Sequence, residues 1–298
     1  MINQQARFNF RVAAVVLLVC LSLSGLQSKP LHLPDEKLTA EDLVTKHLES
    51  IGTPEARAKV KSHIILGVAT GTFRLGGSGT SQGGAVLASQ GEKSLLNITY
   101  NSSDYPYERV GYDGKTVSIG EIQPGVRSTL GLFFTQYDMP IKEGLLGGTL
   151  STAWPLNNLA SMKGKLKYSG VKKAGDQRAH VLTYSSKDDG SLKVMLYFHE
   201  TTFQHIRTEY ERRQTQGMPT QPGVTQQQGD SITKLVEDFS DFKPEAGVTL
   251  PHTYKLTLSI ESLKQRVLQD FVFKLGTFNF NQNIADSQFN VRSSTTKS

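Results

Sequence analysis

"YFHETTFQHIRTEYE", residues 197–211, reads either as a helix carrying a zinc site or as a β-hairpin, and the fold turns on the choice. A metalloprotease helix carries its histidines four apart, so that both reach one metal from the same face. Here His199 and His205 are six apart. On a helix they would lie roughly 240° apart around the axis and could not share a tetrahedral ion. The flanks, "SLKVMLYF" (191–198) and "FQHIRTEYE" (203–211), are rich in β-branched, aromatic and alternating residues, and Glu200, Thr201 and Thr202 form a polar break between them. The stretch therefore reads as a β-hairpin. His199 sits near the turn, His205 sits a few residues up the return strand, and the two are ordinary strand histidines.

Strand and turn signals extend outward in both directions. Upstream, "HIILGVATGTFRL" (63–75) is a strand with glycine interruptions, and the Tyr112-Asp113-Gly114-Lys115 run is a hairpin turn. The "GGSGTSQGG" run (76–84) has the glycine interval of a phosphate-binding loop. Ala85 stands where that loop requires lysine, however, so a flexible hairpin loop is expected. Residues 120–160 are apolar, glycine-rich and broken by Pro140 and Pro155, which suits short helices or loops lying across a sheet. Phe133, Phe134, Leu145, Leu146 and Trp154 in this segment form either an apolar lid on a cavity or ordinary core under an irregular cap.

Downstream, "KLKYSGVKKAG" (165–175), "RAHVLTYSS" (178–186) and "ITKLVEDFSDF" (232–242) read as strands. In "LPHTYKLTLSI" (250–260), Tyr254, Leu256, Leu258 and Ile260 alternate with Lys255, Thr257 and Ser259, giving one dry and one wet face. "FVFKLGTFNFNQNI" (271–284) closes the sheet. Between the strands, residues 214–230 hold too few apolar groups to fold, and a mobile loop is expected there.

The N-terminus is a separate matter. Arg7 and Arg11 precede a short apolar run, with small residues at Ser22, Ser24 and Gly25, so residues 1–24 read as a secretory signal peptide and 25–37 as a linker. Cys20 lies inside the apolar run, but Val19 is a poor residue before a lipidated cysteine, so a lipid anchor is not expected. The mature chain then has no cysteine and no transmembrane segment, and its stability comes from its core. Thr39 caps a helix with Asp42 three residues on, Leu38 and Leu43 form a hydrophobic staple, and Gly52 stops it. Its apolar stripe includes His47, read as half-buried packing. Thr53 and Pro54 open a short second helix. The whole of 38–298 reads as one domain. It is mainly β (α+β), a curled antiparallel sheet of about ten strands forming an open half-barrel, with the N-terminal and connecting helices covering its apolar face.

Loss of Arg7 and Arg11 lowers the formal net charge from +6 to +4, and no basic cluster or stacking aromatics suggest nucleic acid as a partner. No hydrolase or metalloprotease motif is present, and no cofactor is implied. The seven histidines, at 32, 47, 63, 180, 199, 205 and 252, are scattered. The pairs Glu237–Asp238 and Asp188–Asp189 read as solvated edges or turns. A non-enzyme is expected.

The runs "LYFHETTFQHIRTEYE" (196–211) and "LVEDFSDFKPEAGVTLPHTYKL" (235–256), with the polar loop between them, resemble bacterial outer-membrane lipoprotein-sorting (LolA/LolB-like) periplasmic proteins. Phe198, Thr202 and Arg207 fit the first half of that pattern. Ser240, Asp241, Phe242, Gly247, Val248, Leu250 and Pro251 fit the second, and His199 stands where an acidic residue is usual. The resemblance implies a half-barrel with an apolar concave surface and a periplasmic carrier of lipoprotein or other lipid acyl chains. Two other functions stay open. One is a cell-envelope adaptor that binds a protein partner through an exposed sheet edge; the other is a hydrolase whose residues converge only in space.

Overall fold

The computed structural model describes residues 38–75, 78–214, 230–263 and 265–292. The expected signal peptide (1–24), the linker (25–37) and all but the ends of the polar loop (214–230) lie outside the described residues.

Helix α1 (Ala40–Ile51) starts where its cap is written. The Thr39 hydroxyl accepts from the Asp42 amide at 3.1 Å, and the Asp42 carboxylate accepts from the Thr39 amide at 3.0 Å, so two otherwise unpaired amides are satisfied. The stripe Leu43, Val44, His47 and Ile51 is buried. Helix α2 (Pro54–Lys59) follows under a Thr53 cap, with proline at its first position.

The strands are β1 (Ser62–Leu75), β2 (Gly79–Gln90), β3 (Lys93–Tyr100), β4 (Tyr107–Tyr112), β5 (Val117–Ile119), β6 (Gly164–Ala174), β7 (Gln177–Ser186), β8 (Lys193–His199), β9 (His205–Gln214), β10 (Ser231–Glu245), β11 (Val248–Glu261) and β12 (Arg266–Phe280). They form one twelve-stranded antiparallel sheet in the order β5-β4-β3-β2-β1-β12-β11-β10-β9-β8-β7-β6. The sheet is open, with β5 and β6 at its edges. The last strand completes the sheet from within. Strand β12 lies at the centre, pairing β1 (Ala69 opposite Phe273) and β11 (Tyr254 opposite Phe273). Such long-range pairing leaves no local mark in a sequence.

The expected flexible loop over 76–84 is corrected for its second part, from Gly79 on. Gly79–Gly84 belong to β2, and one of its glycines, Gly83, serves close strand packing. A Cβ on Gly83 would stand 1.8 Å from the Thr99 carbonyl oxygen on β3, so only glycine allows the backbones to approach so closely.

The sheet curls. Helix α1 contacts both β11 and β6, which are five places apart in the sheet. In a flat sheet those strands would be about 24 Å apart, more than a helix about 10–12 Å across can bridge. Beyond α1, the concave face is filled by the β5–β6 connection, which holds α3 (Thr129–Gln136), α4 (Met139–Lys142) and single 3₁₀ turns at Gly148–Leu150, Pro155–Asn157 and Leu159–Ser161. On the convex face, Ile284 and Phe289 cover Ala88 together with Ile64 and Leu95. Among the described residues no helix is long and apolar enough to cross a membrane.

Candidate functional site

Three features of the concave side bring polar groups together: a buried carboxyl, a histidine–tryptophan cluster and an open cleft.

The carboxyl is Glu237. Along β10 the buried positions alternate as Leu235, Glu237 and Phe239, so strand periodicity carries the acid inward between two apolar neighbours. The reading of Glu237–Asp238 as solvated is therefore wrong for Glu237, which is fully buried, and right only for its outward neighbour Asp238, which pairs with Arg207 at 2.6 Å. Glu237 accepts from the Tyr210 hydroxyl, the Tyr254 hydroxyl and the Gly147 amide, each at 2.7 Å. Burial pushes its pKa up to about 7, against these three donors, which favour the carboxylate. A sealed group cannot exchange protons with a bound substrate. Its geometry instead ties the 147–150 turn to β9, β10 and β11. Glu143 makes a second tie, from the end of α4 to Ser186 on β7 (2.5 Å) and to the Tyr184 hydroxyl.

The second feature overturns one expectation. His47 is fully buried rather than half-buried, while His205 stands on β9 as expected and is buried there. His47 Nδ1 donates to the Phe203 carbonyl (3.1 Å), which fixes Nε2 as the acceptor for the Trp154 indole N–H (3.1 Å). Trp154 stacks on the His205 ring with centroids 4.7 Å apart, and His205 Nε2 meets the Thr208 hydroxyl at 2.9 Å. Burial lowers the pKa of His47 to about 4 and that of His205 well below its usual value, so both rings are neutral. The cluster joins α1, the connection and β9. His199, by contrast, stays at the hairpin turn, where its Nδ1 accepts from the amides of Thr201 (3.3 Å) and Thr202 (3.2 Å). It thus supplies the acceptor that a carboxylate would bring to that turn.

The third feature is a cleft of about 310 Å³ at the end of the sheet where α1 gives way to α2. Ile51, Val248 and Leu250 form one apolar cluster with Val60 packed on it, and these residues line the cleft. Arg57, His63, Thr149 and Asn157 supply its polar lining. This volume falls at the low end of ligand pockets. The sequence offered one clue to the place, the "GVTLP" entry (247–251) to β11, but none to its partners, which come from α2, β1 and the connection.

Of the five residues considered as a lid, Phe133, Phe134, Leu145 and Trp154 are buried in the main core, and Leu146 is half-buried against it. Leu146 borders a void of only about 30 Å³. Among the described residues no group of three or more His, Cys, Asp or Glu side chains is placed to hold a metal ion.

No family model and no curated protein matches the sequence. Among solved structures, a LolA superfamily protein from Nitrosomonas europaea aligns with 85% of this chain and 98% of its own, at 14% identity and a TM-score of 0.46. A DUF1329 family protein from Desulfovibrio piger aligns over 84% of this chain and 96% of its own, at 10% identity and a TM-score of 0.45. A domain named for outer membrane lipoprotein sorting, from Vibrio parahaemolyticus, covers 83% of this chain and 97% of its own, at 11% identity and a TM-score of 0.40. The fold class rests on the strand order and register above, and these likenesses add no weight to a functional reading.

Proposed function

We propose that the protein is a non-catalytic binding or carrier protein of the periplasm that holds the acyl chain of a lipoprotein or another lipid. The observation that carries this reading is the cleft of about 310 Å³, which is lined by the buried side chains of Ile51, Val248 and Leu250 and the half-buried Val60. The buried ionisable groups support a non-catalytic role, because Glu237, His47 and His205 spend their polar atoms on holding the connection in place. The concave face is occupied by the chain itself. A ligand larger than the cleft therefore requires the segment bearing Phe133, Phe134, Leu145, Leu146 and Trp154 to act as a lid and swing out. Native mass spectrometry of protein purified from the periplasm without detergent, followed by organic extraction, tests this reading. Co-purified acyl lipid is the expected result; an apo mass together with no uptake of added fatty acid counts against it.

The sheet edges give less support to an adaptor that adds a partner strand. Edge β5 is only three residues long, and edge β6 carries Lys165, Lys167, Lys172 and Lys173 and a register irregularity between Tyr168 and Val171. Lysines and bulges on an edge block strand addition.

A further inference from the structure

Some polar atoms around the cleft are left without partners among the described residues, and their kinds specify a head group. His63 Nδ1 meets the Leu150 carbonyl at 3.3 Å; a carbonyl only accepts, so Nδ1 carries the proton and Nε2 is left as an acceptor. That nitrogen has no hydrogen-bond partner among the described residues, and His63 lines the cleft. Arg57 commits only Nε, which donates to the Gly52 carbonyl at 3.1 Å, and its terminal amino groups meet no carboxylate at ion-pair distance among the described residues. Glu55, the acid beside it on α2, is exposed. The Thr149 hydroxyl is likewise without a partner among the described residues. The cleft thus presents the Arg57 cation, the His63 acceptor and the polar side chains of Thr149, Ser151, Thr152 and Asn157 beside its apolar lining.

Resting on the carrier reading above, we propose that the cleft selects a single-chain lipid whose anionic head group lies next to a free hydroxyl, as in a lysophospholipid. The chain lies on Ile51, Val60, Val248 and Leu250, the phosphate pairs with Arg57, and the glycerol hydroxyl donates to His63 Nε2. A free fatty acid satisfies Arg57 but brings no donor for the histidine, and a monoacylglycerol does the reverse. A cleft of about 310 Å³ suits one chain. Charge-assisted pairing by arginine is the stronger of the two polar contacts.

The test is calorimetric titration with three lauroyl ligands below their micelle concentrations: lauric acid, monolaurin and 1-lauroyl-lysophosphatidylglycerol. The lysolipid is expected to bind at least tenfold more tightly than either of the others. Arg57→Gln should weaken lysolipid and lauric acid but leave monolaurin unchanged, and His63→Gln should weaken lysolipid and monolaurin but leave lauric acid unchanged. Equal affinity for all three, with neither variant discriminating among them, would overturn the head-group assignment and leave the carrier reading standing. No binding of any ligand would overturn both. His63 is buried, so where its variant fails to fold, Arg57→Gln, on an exposed helix and checked by circular dichroism, decides the anionic half alone.

Discussion

Glu237 on β10 accepts a hydrogen bond from the amide of Gly147 at 2.7 Å across ninety residues of sequence, and so fixes the turn that opens the 3₁₀ segment inside the curled sheet. Replacing it with leucine strands that amide and two tyrosine hydroxyls in the core. Glu237→Leu is expected to lower unfolding free energy by about 3 kcal/mol, in the range for buried unsatisfied donors. Glu237→Gln retains an acceptor and should lose less, and urea denaturation compares the two.

The same residue gives stability a pH signature. Its folded pKa of about 7 lies above the ordinary carboxylate value, so between pH 4.5 and 7 the folded state holds a proton that the unfolded state has lost, and stability falls as pH rises. Glu108, also raised by burial to about 7, acts in the same direction. His47 and His63, both lowered by burial to about 4, act oppositely, because the unfolded state holds their protons between pH 4 and 6.5, so stability rises with pH. The four oppose one another in the wild type. Glu237→Gln removes one of the two acidic contributions, so its stability should climb more steeply from pH 4.5 to 7 than the wild type's, by roughly 3 kcal/mol over the interval. Parallel curves for the two proteins would contradict the assignment.

Two adjacent glycines on β2 should behave differently. Gly83→Ala forces a Cβ onto the Thr99 carbonyl and is expected to cost more than about 2 kcal/mol through lost register. Gly84→Ala meets no atom within 4 Å and should change stability by less than about 0.5 kcal/mol. Thermal melts of the two single variants check the contrast.

Trp154 is the only tryptophan, so its fluorescence reports directly on the cluster that joins α1 to the connection. Emission should be that of a buried indole and should shift to the red on unfolding together with the circular dichroism signal. The Trp154–His47 hydrogen bond should appear in a double-mutant cycle of Trp154→Phe and His47→Phe as a coupling of about 1 kcal/mol. Strict additivity would contradict it.

Much of the fold was legible because its signals are local. The Thr39–Asp42 cap, the Asp113–Gly114 turn, the 197–211 hairpin and the alternation in β11 each depend on residues within one turn or one strand. The central place of β12 was not, since β1 and β12 pair across nearly the whole chain. Gly83 was misread because a residue that permits a turn also permits close strand approach, and only Thr99 on the neighbouring strand decides between them. Glu237 carried a readable clue, its period-two position between Leu235 and Phe239, but its hydroxyl and amide partners come from three distant segments. His47 and His205 are separated by 158 positions in the sequence, yet their rings meet edge to face at 6.2 Å and share Trp154 as a neighbour. The cleft was illegible for the same reason, being assembled from the end of α1, from α2, from the starts of β1 and β11 and from the middle of the connection.

The most direct measurement is photocrosslinking of the intact protein with a diazirine-bearing lauroyl chain, followed by peptide mapping. The account predicts labels on the segments around Ile51, Val60 and Leu250, reduced by excess unlabelled ligand. Labels confined to other surfaces, or none that compete, would contradict the claim that this cleft holds an acyl chain.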